Sequence, residues 1–77
     1  MIVHKDVLIV NGNEFGLEGG NVYAVLFEDN EKYGWFTEWR QNGLKPGKGT
    51  TGEASRLYNK LSIAKAQFTR KFGAKAT

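Results

Sequence analysis

Two tryptophans four residues apart, Trp35 and Trp39, lead into a loop with three cations (Arg40, Lys45, Lys48), three glycines and the chain's single proline, Pro46. No acidic residue lies between Trp39 and Gly49. Indole rings stack on bases or sugars, and Lys or Arg neutralises phosphates, so this stretch has the chemistry of a surface that grips a polyanion. The same residues also describe a core edge running into a solvated turn, because aromatic side chains dominate small cores. Residue types alone leave both readings open.

Other chemistry is poorly served. The only histidine is His4, near the N-terminus, and a catalytic base needs a partner that holds it. The chain has no cysteine, so neither a disulfide framework nor a thiolate metal site is available. Glu28, Asp29 and Glu31 lack the alternating ligands and closing glutamate of a calcium loop and read as a solvated turn. The stretch from Gly43 to Thr50 approaches a phosphate-binding loop, but its first glycine is one residue too close and Gly49 stands where Ser or Thr should follow the lysine. Nucleotide hydrolysis is rejected. What survives is a weaker idea, exposed backbone N–H groups and lysines that suit phosphate oxygens. No catalytic residue, metal site, cofactor or small-molecule substrate is expected.

At 77 residues the chain makes one domain, residues 1–77, with a marginal core. Its ten aromatics supply the dense apolar material that a small domain needs. The net charge of +3 conceals an asymmetry. Residues 1–38 carry two cations and seven acids, whereas residues 39–77 carry nine cations and one acid. Such a split suggests a basic face turned to an anionic partner, or two halves that pair their charges. The first residues lack the long apolar stretch of a signal peptide, so a cytoplasmic protein with no membrane contact is expected.

The elements follow from periodicity. Residues 7–10 are a short β-branched run ending at Asn11-Gly12, a dipeptide that favours tight turns. A Gly-rich loop is expected over residues 13–20. Residues 21–27 alternate with apolar side chains on both faces, which predicts a central strand covered on both sides. A polar turn over 28–32 then connects to a strand over 33–40, making an antiparallel hairpin. Pro46 places residues 41–52 in a loop, with a short strand near 50–55. Ala64, Phe68 and Phe72 recur every four residues, so a C-terminal helix is predicted with Ser62 as N-cap and Gly73 as its stop. The fold class is α+β, a small antiparallel sheet with one C-terminal helix packed on it.

In order along the chain, several of these residues resemble the WGR domain, a sheet-plus-helix module of poly(ADP-ribose) polymerases and bacterial proteins. The resemblance spans residues 21–77, leaving the first strand and Gly-rich loop, 1–20, outside it. It comprises Asn21-Val22-Tyr23, the aromatic strand from Tyr33 to Trp39, a tryptophan followed by Gly43, and a helix patterned Ala64, Phe68, Phe72, Lys75, Thr77. The signature triplet departs from the family: Trp39-Arg40-Gln41 stands where Trp-Gly-Arg belongs. An arginine moved by one position along a strand faces the other way. The resemblance implies contact with nucleic acid, DNA above RNA, with the signature tryptophan carried over to Trp39.

The expected function is therefore non-catalytic, largely sequence-independent DNA binding through Trp39, Arg40, Gln41, Lys45, Lys48, Lys65, Arg70 and Lys71. Trp35, Phe68 and Phe72 are assigned to the core. The helix cations also suit an ordinary solvated face. The alternative is a protein-interaction or inhibitor module, of the kind a phage encodes, docking on a larger enzyme through the apolar edge at residues 7–10.

Overall fold

The computed structural model describes residues 1–12, 16 and 19–73. Most of the loop expected over 13–20, and the Lys75 and Thr77 positions of the helix ending, lie outside the described residues. Four strands, β1 (Ile2–Val10), β2 (Gly20–Asp29), β3 (Lys32–Gln41) and β4 (Thr50–Ala54), precede one helix, α1 (Leu61–Phe72). The sheet order is β1-β2-β3-β4 and every neighbouring pair is antiparallel. The chain has the α+β architecture read from its periodicity.

The β2–β3 hairpin closes tightly. Asp29 pairs with Lys32, and the two residues between them, Asn30 (φ 51°) and Glu31 (φ 63°), both lie in the left-handed region. Two such residues in succession twist in the sense the flanking strands require. Asn tolerates that backbone because its short amide can hydrogen-bond locally; Glu, whose longer side chain cannot do so as readily, is strained there. Glu31→Gly is expected to stabilise the fold by about 1 kcal/mol, net of the extra freedom glycine has when unfolded, which raises Tm by about 4–8 °C in a domain this small. A thermal melt followed by circular dichroism checks this, and an unchanged or lower Tm would contradict it.

One sheet face carries the main core. Ala24 and Leu26 of β2 and Trp35 of β3 pack under Ala64 and Phe68 of α1, with Val7, Ile9, Tyr33, Tyr58, Leu61 and Phe72 around them. Phe72 meets Trp35 edge-on at 5.3 Å. The stripe at Ala64, Phe68 and Phe72 is the one its spacing predicted. Gly73 ends the helix at φ 62°, donating its N–H to the Thr69 carbonyl. The start differs from expectation: the N-cap is Lys60, not Ser62, and has no side-chain cap bond. Two backbone hydrogen bonds, Tyr33 N–H to Tyr58 O at 2.8 Å and Tyr58 N–H to Tyr33 O at 2.7 Å, pin the incoming chain beside β3. Only Asn59 and Lys60 remain to turn it, so helix begins at once.

β2 is central, as expected, but its two faces are closed differently. Val25 is fully buried on the face away from α1, and Phe27 and Phe36 meet there with ring centroids 5.5 Å apart. Among the described residues no second helix or sheet covers this face. Its closure at one end comes from the loop over residues 42–49.

Candidate nucleic-acid interface

Strand alternation sends Glu38 and Arg40 to the face opposite α1, and Trp39 to the α1 side. Glu38 is 1 % exposed. Its Oε2 accepts the Gly47 N–H at 2.7 Å and Arg40 Nη2 at 2.8 Å, while Oε1 accepts the Gly49 N–H at 2.9 Å. Arg40, 5 % exposed, donates through Nη1 and Nη2 to the two carboxylate oxygens of Asp6, both at 2.9 Å. Its guanidinium also lies 4.0 Å over the Tyr23 ring. A planar five-donor fork suits this double engagement, and a lysine would not replace it.

Burial alone disfavours charge on Glu38 and is the largest single influence on it. The Gly47 N–H, the Arg40 guanidinium and the Gly49 N–H together outweigh burial and hold the carboxyl below its ordinary value. For Arg40, burial again acts first against charge, and the bonds to Asp6 and Glu38 overcome it, so its pKa is raised.

These contacts revise two expectations. Arg40 is not a surface cation: it is enclosed between two carboxylates and cannot reach a phosphate without leaving them. Nor are the loop's N–H groups uniformly free for a phosphate, because those of Gly47 and Gly49 already cradle Glu38. The loop has an anion-binding form, and the anion is the protein's own side chain.

The other expected residues fall into separate groups. Trp39 is half-buried with its indole against Gly20, where an added Cβ would meet the ring at 2.6 Å. Gln41, Lys45 and Lys48 are exposed at the end of β3 and in the loop, which hangs from Glu38 on the face opposite the helix. Lys65, Arg70 and Lys71 are exposed on α1. The sheet therefore separates the loop cations from the helix cations, and the eight residues do not form one patch. Neither Glu28 nor Glu31 is seen to neutralise the loop lysines; Glu28 meets His4 at 3.0 Å.

On the helix side, the structure assembles a hollow of about 200 Å³ lined by Trp35, Tyr58, Gln67, Arg70 and Lys71. Trp35, 7 % exposed, forms its floor. Ser55 Oγ accepts the Trp35 N–H at 2.9 Å, and the Tyr33–Tyr58 bridge fixes the Tyr58 wall. Arg56 lies 5.3 Å over the Tyr58 ring, and Lys71 Nζ lies 5.6 Å from the Trp35 ring centre. Lys71 also pairs with Glu53 at 2.9 Å, both side chains being well exposed. Sequence reasoning missed Tyr58, Arg56 and Gln67. The only local signal was an aromatic residue two positions after a cation, just ahead of a basic helix.

Among the described residues no group of three or more His, Cys, Asp or Glu could hold a metal ion, and no helix is long and apolar enough to cross a membrane. No protein-family model, curated protein or solved structure matches the chain.

Proposed function

We propose that this domain is a non-catalytic nucleic-acid-binding module whose contact surface is the hollow beside α1. The observation that carries the reading is the placement of two aromatic rings, Trp35 and Tyr58, within one hollow that Arg70 and Lys71 also line, with Arg56 stacked on Tyr58. Rings that offer π-faces beside cations that neutralise phosphates are what sequence-independent binding uses. The ordered resemblance to the WGR domain favours DNA over RNA. Lys45 and Lys48, on the other side of the sheet, add long-range attraction rather than contacts in the hollow.

The test is fluorescence anisotropy of a labelled oligonucleotide across a salt series. If Arg56, Arg70 and Lys71 neutralise about three phosphates, affinity should fall roughly 20- to 40-fold between 50 and 200 mM salt. Arg70→Ala/Lys71→Ala should remove most of that dependence and weaken binding at least tenfold, while Lys45→Ala/Lys48→Ala should retain it. No saturable binding at low salt would overturn the proposal.

A second reading, the protein-interaction or inhibitor module, has its own supporting observation. β1 is a sheet edge, and Met1, Ile2, Val3 and Leu8 on or beside it are exposed. An extended segment of a partner could add to such an edge. Register shifts between Val3 and Lys5 and between Leu8 and Val10 interrupt its pairing with β2, a device that also discourages unwanted edge pairing. A specific protein complex lost in Leu8→Lys and kept in Arg70→Ala/Lys71→Ala would favour this reading over the first.

A further inference from the structure

We infer that the hollow seats one unpaired base, so that the domain binds single strands in preference to duplex; this rests on the nucleic-acid reading proposed above. Three features converge on it. The first is size. At about 200 Å³ the hollow is smaller than the roughly 300–1,000 Å³ of sites that enclose a drug-sized ligand, and it suits one ring system. The second is the lining. Half-buried Tyr58 supplies apolar ring surface beside a Trp35 floor that is only 7 % exposed, and Gln67 supplies both a donor and an acceptor for a base edge without fixing which base. The third is charge. Two of the five lining residues are cations, Arg70 and Lys71, and none is an acid, so a group with phosphate on either side of a ring is matched.

A paired base cannot enter. In a duplex each base is stacked and hydrogen-bonded, and reaching it requires extrusion from the helix. A flexible single strand presents the same ring at much lower cost. Glu53 is the acid that pairs with a lining residue, holding Lys71 at 2.9 Å. A bound phosphate would take its place on the ammonium. Glu53→Gln should accordingly tighten binding about two- to fivefold, the scale of an exposed ion pair.

The experiment compares three probes on the native protein, each labelled and of equal length: an oligothymidylate, an abasic single strand with the same phosphates, and a blunt duplex. Anisotropy is read at near-physiological salt. The expected result is an affinity for oligothymidylate about 5- to 150-fold above that for the abasic strand, the span that stacking of one base provides, with the duplex also weaker. Tyr58→Ala, verified as folded by circular dichroism, should collapse the preference for oligothymidylate over the abasic strand. A residue that merely shaped the fold would lower all three affinities together. Equal affinity for the abasic strand would overturn base seating and leave nucleic-acid binding standing. Duplex binding tighter than single-strand binding would overturn the strand preference. Binding to none of the probes would sink both proposals, and poly-glutamate competing as well as oligothymidylate would show a site for anions rather than bases.

Discussion

Glu38→Ala is expected to cost about 3–5 kcal/mol, the cost of breaking a buried ion pair from one side. A 77-residue domain has only about 4–12 kcal/mol of stability in total, so the variant should be largely or wholly unfolded under mild denaturing conditions. The loss has two parts. Arg40 keeps Asp6 but is left 5 % exposed with half of its compensation gone. The Gly47 and Gly49 N–H groups lose a charged acceptor, and bonds to charged groups are worth about 1.5–3 kcal/mol each. Glu38→Gln keeps the shape and one acceptor oxygen, but turns an amide NH₂ towards donors, so it should fall between wild type and alanine. Urea unfolding followed by circular dichroism orders the three chains. A Tm for Glu38→Ala within about 3 °C of wild type would refute the role assigned to this carboxylate.

The same carboxylate sets a pH dependence. Its pKa is lowered in the folded state, so the unfolded chain binds the proton more tightly. The stability it contributes is complete above the ordinary glutamate value, near about 4.3, and drains away as pH falls through the lower native value. Tm measured from pH 7 down to pH 2 should therefore drop mainly below about pH 4. In Glu38→Gln that drop should be visibly shallower.

Gly49→Ala is the second large effect, about 3 kcal/mol or more. An added Cβ would clash with the Trp39 carbonyl oxygen and lie 3.1 Å from Arg40 Cα, both backbone atoms that no rotamer change can move. Trp39 pairs with Thr50 directly beside this point, so relief requires pulling β4 away from β3 and taking the Gly49 N–H off Glu38. Overpacking alone typically costs about 1–3 kcal/mol, and the lost charged hydrogen bond adds to it. Gly43→Ala is the control. Gly43 has φ +92° and no atom within 4 Å of an added Cβ, so it carries backbone strain only, about 1 kcal/mol. Parallel thermal melts separate the two; equal losses would mean that close backbone approach at Gly49 is not the reason for the glycine.

Local chemistry made much of this fold readable. Alternation marked β2 and β3, the four-residue spacing of Ala64, Phe68 and Phe72 marked α1, and Trp35 lies in the core as assigned. The start of β1 was hidden because His4, Lys5 and Asp6 are polar, and a strand recognised by apolar residues begins at Val7. Asp6 belongs in that strand because Arg40, 34 residues away, receives it, a relation no local pattern encodes. The expected contact surface failed at Arg40 for the same reason: an arginine beside an exposed-looking tryptophan has no local mark of burial. The hollow beside α1 was invisible for a different reason. It needs Tyr58 held against Tyr33 and the last helical turn laid over Trp35, and both are tertiary facts. Pairing accounts for only part of the charge asymmetry between the halves, through Asp6 with Arg40; Lys45, Lys48, Lys65 and Arg70 lie on the surface.

The bond between Asp6 and Arg40 also decides where the chain can be cut. Residue 21, near the start of β2, looks like a natural place to excise a smaller unit. A chain starting there would carry Arg40 into the interior with Glu38 alone and would strip β2 of its outer neighbour. Val7 and Ile9 would be missing from the edge of the core. Residues 2–10 are an integral strand of the sheet. They supply the counter-charge around which the middle of the protein closes, and any minimal version worth making has to keep them.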